Sequence, residues 1–172
     1  MREVALTRGY VAIVDDADYA LVAQFRWFAR PAKHTVYASR TAWSQGVTTQ
    51  IQMHRLILGV PSGVLVDHAD GNGLNNSRSN LRLATTAANN ANRRPREDRG
   101  KTVPGVKGVK FDVRRNRFCA RIQFQGQQIF LGSFESVQEA AIAYNAAALR
   151  LYRSFARLNE VSTHEVPAEA RA

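Results

Sequence analysis

The sequence has few of the residues that stabilise small domains through covalent or metal crosslinks. It has a single cysteine, Cys119, so no disulfide can form within the chain. The single cysteine and the four histidines have none of the paired Cys or Cys/His spacings of a structural zinc site, so we expect no structural zinc. No long apolar run resembles a signal peptide or a membrane span, which favours a cytoplasmic protein without a membrane partner.

Acidic residues are also scarce, with 14 Asp and Glu against 24 Lys and Arg and a formal net charge of +10. The excess is concentrated in residues 93–121, which hold eleven basic and three acidic side chains. Such a distribution indicates a polyanionic partner. A lipid surface is disfavoured because no basic segment is also a strongly amphipathic helix with bulky apolar anchors. We therefore expect nucleic acid as the partner, and no obligate protein partner is evident.

A short apolar run, Val64–Val66, ends in the polar pair Asp67 and His68, as a strand does when it leaves a core and delivers side chains to a surface. Neighbouring strand residues point to opposite faces, so the pair can take different roles. The next loop, residues 69–79, is rich in Gly and Asn, which favour turns. A carboxylate suits a hard divalent cation and an imidazole titrates near neutrality, so this segment has the chemistry of a phosphodiester-cleaving site.

A second strand and a helix are predicted after this loop. Leu81–Ala84 is the candidate strand, and Thr85 or Thr86 could N-cap a helix that carries Asn89 and Asn92. Strand, loop, strand and helix together predict a compact hairpin-plus-helix unit.

These residues resemble the HNH endonuclease family, and more closely its homing-endonuclease branch, in which an aspartate precedes the first motif histidine. The resemblance covers His54 to Arg94 and includes HRLIL, VDH.DGN..NN...NLR and T...N..N. Asn80 follows His68 by twelve positions and Asn89 follows it by twenty-one, which is the spacing of the family. Zinc-stabilised relatives carry cysteine pairs that this chain lacks.

The resemblance implies a role for each matched residue. His68 would be the general base, because a neutral imidazole can take a proton from water. Asp67 and the side-chain oxygen of Asn89 would hold one Mg²⁺ or Mn²⁺ ion. Asn80 would brace the loop and orient His68.

Two assignments leave alternatives open. The ring of His54 could face the active-site cleft or only pack within a short helix. Asn90 and Asn92 lie close to Asn89 and could be confused with the metal ligand, although the family pattern favours Asn89.

Residues 1–52 are predicted to be strand-rich and to belong to the nuclease domain, because this segment cannot obviously bury a core by itself. The expected elements are strands at Val4–Leu6, Tyr10–Val14, Tyr37–Trp43 and Val47–Met53, with a short helix at Asp16–Phe25. Three aromatic residues are expected in the core or on a sheet face, with a DNA-contacting face as the alternative: Trp27, Tyr37 and Trp43.

Residues 93–103 are charged and lack apolar periodicity, which predicts a basic linker, either solvated or following the phosphate backbone.

The segment 104–159 is predicted to form a second module. Its strands are expected at Val106–Val113, Arg117–Phe124 and Gln127–Leu131, and a capping box at Ser136–Glu139 opens a helix that runs to about Tyr152. The helix should cover one sheet face and leave a polar, basic face. Residues 160–172 are expected to form a polar tail, and no role is expected for His164.

This module resembles the plant ethylene-response-factor (Apetala-type) DNA-binding domain, from GVKGVKF through the LG.F turn and the EAA.AY helix to ARLN. The resemblance implies that the sheet lies in the major groove of DNA. The matching base-facing positions are Lys107, Lys110, Asp112, Arg121, Gln123, Gln128 and Phe130, and phosphate contacts are expected from Arg114, Arg115 and Arg117. Because Asp112, Gln123 and Gln128 stand where the plant proteins commonly carry arginine, the plant target sequence is not carried over.

The expected fold is α+β: a ββα-metal nuclease domain with a strand-rich N-terminal part in residues 1–92, then a three-stranded antiparallel sheet packed on one helix. The expected function is a metal-dependent, strand-nicking DNA endonuclease of homing or mobile-element type, acting on double-stranded DNA in a bacterial or phage-infected cell. The alternative is a non-catalytic DNA-binding regulator with a relict motif, although a relict would be expected to lose some of the four motif residues. RNA binding is less favoured, since the sheet lacks an exposed pair of stacking aromatics.

Overall fold

The computed structural model describes residues 1–95 and 102–161. It divides into two compact units, Met1–Asn89 and Asn90–Ala172. Most of the predicted linker and tail, with His164, lies outside the described residues. The fold is α+β, with several small antiparallel sheets, and no helix in the described ranges is long and apolar enough to cross a bilayer.

The first unit is built from three small sheets and short helices. In chain order its elements are β1 (Arg2–Ala5), β2 (Val11–Val14), α1 (Asp16–Ala23), β3 (Phe28–Pro31), β4 (Val36–Ser44), β5 (Val47–Gln52), α2 (Met53–Leu58), β6 (Val66–His68) and β7 (Leu81–Leu83), and α3 (Thr86–Asn92) lies at its end. The sheets are β1-β2, β3-β4-β5 and β6-β7. The strands and helix predicted in residues 1–52 are confirmed, whereas β3 was not predicted.

The core of this unit is formed by side chains from many elements. Val14, Val22 and Met53 are fully buried, and Trp27 is 4% exposed. The indole of Trp27 donates to the carbonyl of Val22 over 2.8 Å, so its one polar atom is satisfied inside the core. Trp43, in contrast, is 73% exposed on β4 near the tip of the β4–β5 hairpin. Trp27 therefore lies in the core and Trp43 on a sheet face, which are the two positions expected for these aromatics.

The second unit contains β8 (Val109–Asp112), β9 (Arg117–Phe124), β10 (Gln127–Phe134) and α4 (Val137–Tyr152), with the strands in the order β10-β9-β8. The predicted capping box is confirmed: Ser136 accepts from the amide of Glu139, whose carboxylate accepts from the amide of Ser136. Alanines along α4 are buried, which lets the helix lie close to the sheet. Gly108, with φ at +76°, lies where an added Cβ would come 2.6 Å from the carbonyl oxygen of Arg121.

Candidate active site and nucleic-acid interface

The strand pair β6–β7 fixes two side chains directly opposite each other. Asp67 is paired with Arg82, and His68 with Leu81, in an antiparallel register. Residues opposite each other in a ladder share a face, and Arg82 donates to one oxygen of Asp67, Oδ2, from Nε over 2.8 Å and from Nη2 over 2.6 Å. Sequence reasoning gave Arg82 no role. The contact between Arg82 and Asp67 follows from the register of β6 and β7, which no local sequence pattern indicates.

His68 lies within a cluster of three rings. Its ring centroid is 5.0 Å from that of His54, with the two planes nearly perpendicular, and 5.7 Å from that of Tyr37. The rings of Tyr37 and His54 are 5.8 Å apart. Because β4, α2 and β6 each supply one ring, three separate parts of the chain meet at the predicted base. The ring of His54 therefore lies against that of His68. Tyr37, which was expected in the core or on a sheet face, is a second neighbour of His68.

Burial keeps this cluster neutral. Burial, with smaller contributions from the nearby His68 and Arg55, lowers the pKa of His54 to about 3. Burial also lowers the pKa of His68, opposed by its contact with Asn76 and by nearby carboxylates. Burial and the charge of Asp67 raise the pKa of Tyr37. At neutral pH the imidazole of His68 is therefore uncharged and able to accept a proton.

One ring nitrogen of His54 is buried and lacks a hydrogen bond within the described residues. His54 is 4% exposed, and its Nδ1 has no hydrogen-bond partner in the described part of the chain. Protonating such a ring would place a charge in a poorly solvated site, which agrees with its lowered pKa.

The loop between β6 and β7 is organised by Asp70 and Asn80. The Asp70 carboxylate accepts from the amide of Asn72 over 2.7 Å and from the side chains of Asn75 and Asn80 over 2.8 and 3.0 Å. Although burial acts to raise the pKa of Asp70, these hydrogen bonds outweigh it and the pKa is lowered. Asn80 also donates to the carbonyl of Asn75 and accepts from the amide of Asp70. The structure therefore places Asn80 as a brace within the loop.

A different asparagine of the loop contacts the ring of His68. Oδ1 of Asn76 lies 3.5 Å from Nε2 of His68. Asn76 is fully buried, and its Nδ2 donates to the carbonyl of Leu74, which fixes the amide with its oxygen toward the imidazole. Sequence reasoning assigned the orienting role to Asn80 and missed Asn76.

The same loop is attached to the N-terminal strands. The amide of Ile13, on β2, donates to the carbonyl of Leu74 over 2.8 Å, and the amide of Asn76 donates to the carbonyl of Ile13 over 2.7 Å. The amide of Gly73 donates to the hydroxyl of Thr35 over 2.8 Å. The loop that carries Asn76 is therefore hydrogen-bonded to the edge of β2.

Arg78 ties the loop to two helices. Its Nε and Nη2 donate to the two oxygens of Asp18, on α1, over 2.8 and 2.7 Å, and Nη2 also donates to the carbonyl of Ile57, on α2. Its backbone amide donates to Asp15 over 2.8 Å. Asp18 is 4% exposed, so this ion pair satisfies a carboxylate that would otherwise be costly to bury.

Asn89 lies on α3. Its backbone amide donates to the carbonyl of Thr85 over 2.9 Å, and the hydroxyl of Thr85 accepts from the amide of Ala88, which makes Thr85 the N-cap. Asn89 is half-buried, Asn90 is exposed and Asn92 is buried. No three His, Cys, Asp or Glu side chains form a metal-binding group among the described residues.

In the second unit, five of the seven predicted base-facing residues are exposed: Lys110, Arg121, Gln123, Gln128 and Phe130. The register places Arg121 opposite Phe130 and Gln123 opposite Gln128. Arg121 donates to Oε1 of Gln128 over 3.0 Å, and its guanidinium carbon lies 5.6 Å from the ring centroid of Phe130. The side chain of Arg121 therefore lies between the amide of Gln128 and the ring of Phe130, on the sheet face away from α4.

Other predicted DNA contacts have partners within the unit. The ammonium of Lys107 donates to the carbonyls of Asn90, Ala91 and Arg93, and burial, followed by the charges of nearby arginines, lowers its pKa to about 8. This ammonium is engaged with backbone oxygens instead of being displayed on the sheet.

The hairpin between β8 and β9 has a similar arrangement. Asp112 accepts from the amides of Arg114 and Arg115 over 3.1 and 3.3 Å, which identifies it as a turn-stabilising residue. Arg114 and Arg115 are themselves exposed. Arg117 is also exposed and forms an ion pair with Glu135 over 3.0 Å.

The sequence of the site segment decides the family. The model of the HNH endonuclease family matches residues 52–91. The chain carries an HNH endonuclease domain. It is therefore a nuclease, and its substrate is nucleic acid. The matched segment runs from the end of β5 into α3 and includes Asp67, His68, Asn80 and Asn89, whereas Tyr37 precedes it.

Relatives of this HNH chain occur in viruses and in a plant. It is 29% identical over 160 residues to an uncharacterized HNH endonuclease of Acanthamoeba polyphaga mimivirus, covering 90% of this chain and 77% of the viral protein. It is 30% identical over 98 residues to Protein 3.8 of Escherichia phage T7, covering 57% of this chain and 78% of the phage protein. An ethylene-responsive transcription factor of Arabidopsis thaliana is 31% identical over 91 residues, 51% of this chain and 54% of the plant protein. No solved structure matches the HNH chain.

Proposed function

We propose that this HNH chain is a metal-dependent DNA endonuclease of homing or mobile-element type that nicks one strand of duplex DNA. The first unit cleaves, and the sheet of the second unit supplies affinity and target choice. The relatives from a virus and a phage support an origin in mobile genetic elements, acting in the cytoplasm of a bacterial or phage-infected cell. A tethered binding sheet raises the local concentration of a small catalytic site at its target.

HNH nucleases generally use a divalent metal ion, and the donors of this site suit one. Asp67 offers a carboxylate that is 6% exposed, and Asn89 a carboxamide on α3, the element that follows β6 and β7 in a ββα order. Both donate through oxygen, which favours Mg²⁺ or Mn²⁺ over softer metals. When bound, the ion would stabilise the negative charge that develops on the leaving oxygen.

His68 is the general base in this proposal. The observation that carries the proposal is the position of the His68 imidazole, which lies against the rings of Tyr37 and His54 and 3.5 Å from Oδ1 of Asn76, on the strand residue next to Asp67. A neutral imidazole accepts the proton of the attacking water. His68 is 5% exposed, so DNA binding must open a path to its ring.

The second unit binds double-stranded DNA in this proposal. Arg121, Gln123 and Gln128 present donors and acceptors on one exposed sheet face, with Lys110 beside them. Arginine and glutamine side chains of this kind pair with guanine and adenine in the major groove. The relation to a plant transcription factor supports this assignment.

Cleavage of supercoiled plasmid tests the proposal. Purified full-length protein with MgCl₂ should convert supercoiled plasmid to nicked circles, and EDTA should stop the reaction. His68→Ala should abolish nicking while gel-shift affinity is kept, and Arg150→Ala, on the exposed outer face of α4, is a matched control that should nick normally. Linear product with one copy of the chain bound would contradict strand nicking. Intact plasmid under all metal conditions, with gel shifts retained, would refute metal-dependent DNA cleavage.

A further inference from the structure

The ion pair between Asp67 and Arg82 has no part in the function proposed so far. The two residues face each other in the β6–β7 ladder, and both donating nitrogens of Arg82 reach the same carboxylate oxygen. The side chain of Asp67 is 7% exposed and that of Arg82 is 19% exposed, so water screens this pair weakly. The charge of the predicted metal ligand is therefore already balanced by a cation of the chain itself.

This arrangement opposes metal binding in the free enzyme. Even at the dielectric constant of water, a monovalent cation about 6 Å from a divalent ion weakens ion binding roughly tenfold, and more in a buried site. A DNA phosphate can relieve the opposition, because a guanidinium binds phosphate oxygens with the same fork of nitrogens that it uses for a carboxylate.

Resting on the proposed function, we propose that Arg82 couples DNA binding to metal binding. In the free enzyme Arg82 neutralises Asp67. In the complex a backbone phosphate becomes the partner of Arg82, which releases the Asp67 carboxylate for the divalent ion. By linkage, DNA must then tighten metal binding and the metal must tighten DNA binding by the same factor. The enzyme would acquire its ion chiefly when DNA is present.

A purely orienting role for Arg82 predicts the opposite sign. Residues that only hold a metal ligand in place usually lower metal affinity about 10- to 100-fold when they are replaced. The coupling role predicts that loss of the charge raises the affinity of the free protein for the ion. The sign of the change therefore separates the two roles.

Binding of Mn²⁺ measured by electron paramagnetic resonance tests the coupling directly. All proteins are full-length and carry His68→Ala, which removes the base and keeps the DNA intact during the measurement. Arg82→Gln removes the charge but keeps an amide donor for Asp67, and Arg82→Lys is the matched control that keeps the charge. In free protein, Arg82→Gln should bind Mn²⁺ at least about tenfold more tightly than the parent, and Arg82→Lys should remain close to the parent. Duplex DNA should tighten Mn²⁺ binding in the parent and much less in Arg82→Gln.

Unchanged or weaker Mn²⁺ binding by folded Arg82→Gln would overturn the coupling, while plasmid nicking by the wild type would leave the proposed function standing. If circular dichroism shows that Arg82→Gln does not fold, the test is the Mn²⁺ affinity of the parent protein with and without duplex DNA. A gain of about tenfold in Mn²⁺ affinity on adding duplex DNA supports the coupling, and equal affinity with and without DNA overturns it. Absence of Mn²⁺ binding in both states, together with intact plasmid, would overturn both proposals.

Discussion

Acid should destabilise the first unit through His54, a residue that need not take part in the chemistry. Its pKa is lowered to about 3 by burial in the folded protein, whereas a histidine in an unfolded chain titrates near 6.5. The unfolded state therefore binds more protons between these values, so stability is intact above pH ~6.5 and falls as the pH falls toward ~3. Linkage gives a loss of about 2 kcal/mol in the free energy of unfolding between pH ~7.5 and ~5.

Urea unfolding followed by tryptophan fluorescence measures this loss. Both tryptophans lie in the first unit, and Trp27 is 4% exposed, so its emission should shift when this unit unfolds. The comparison is with His54→Phe, which keeps an aromatic ring beside His68 and Tyr37 but has no proton to gain. Carboxylates and His68 titrate in both proteins, so the difference between them isolates His54. The wild type should lose about 2 kcal/mol more than His54→Phe on acidification, and equal losses would show that the buried ring is not held neutral as described.

Three further predictions concern the loop, the second unit and the sheet. Asn80→Ala removes three hydrogen bonds around Asp70 and Asn75 and, at about 1 kcal/mol each, should lower the free energy of unfolding of the first unit by about 3 kcal/mol in the same urea assay. Gly108→Ala should lower the melting temperature in calorimetry, because the new Cβ meets a backbone carbonyl at a positive φ; an unchanged value would contradict the close approach. Arg121→Ala should weaken DNA binding in gel shifts by ~1–3 kcal/mol, while Arg150→Ala leaves it unchanged.

Elements with local signals were predicted from the sequence. The capping box at Ser136 and Glu139 fixed the start of α4, and the turn at residues 44–46 separated β4 from β5. These features depend on residues a few positions apart, which is the range over which sequence patterns act. The strand β3 has no such signal, since it is four residues long and ends in Pro31, and it forms by pairing with β4.

The parts of the site that sequence reasoning missed depend on contacts between distant elements. Tyr37 reaches His68 from another sheet, and Asp18 meets Arg78 across 60 positions of the chain. Such pairs are set by packing, and neither partner carries a local motif for it. Lys107 shows the same dependence on distant contacts, because a basic side chain expected on the DNA face donates to backbone carbonyls of residues 90, 91 and 93.

The attachment of the β6–β7 loop to β2 bears on how the HNH segment could be moved into another protein. The recognisable motif begins near residue 52, yet the loop is aligned by the backbone of Ile13 and by Asp18, which precede it. Grafting only the motif onto a foreign DNA-binding protein would leave these backbone groups and the guanidinium of Arg78 without their partners. A transferable nuclease segment from this chain must therefore begin at β1.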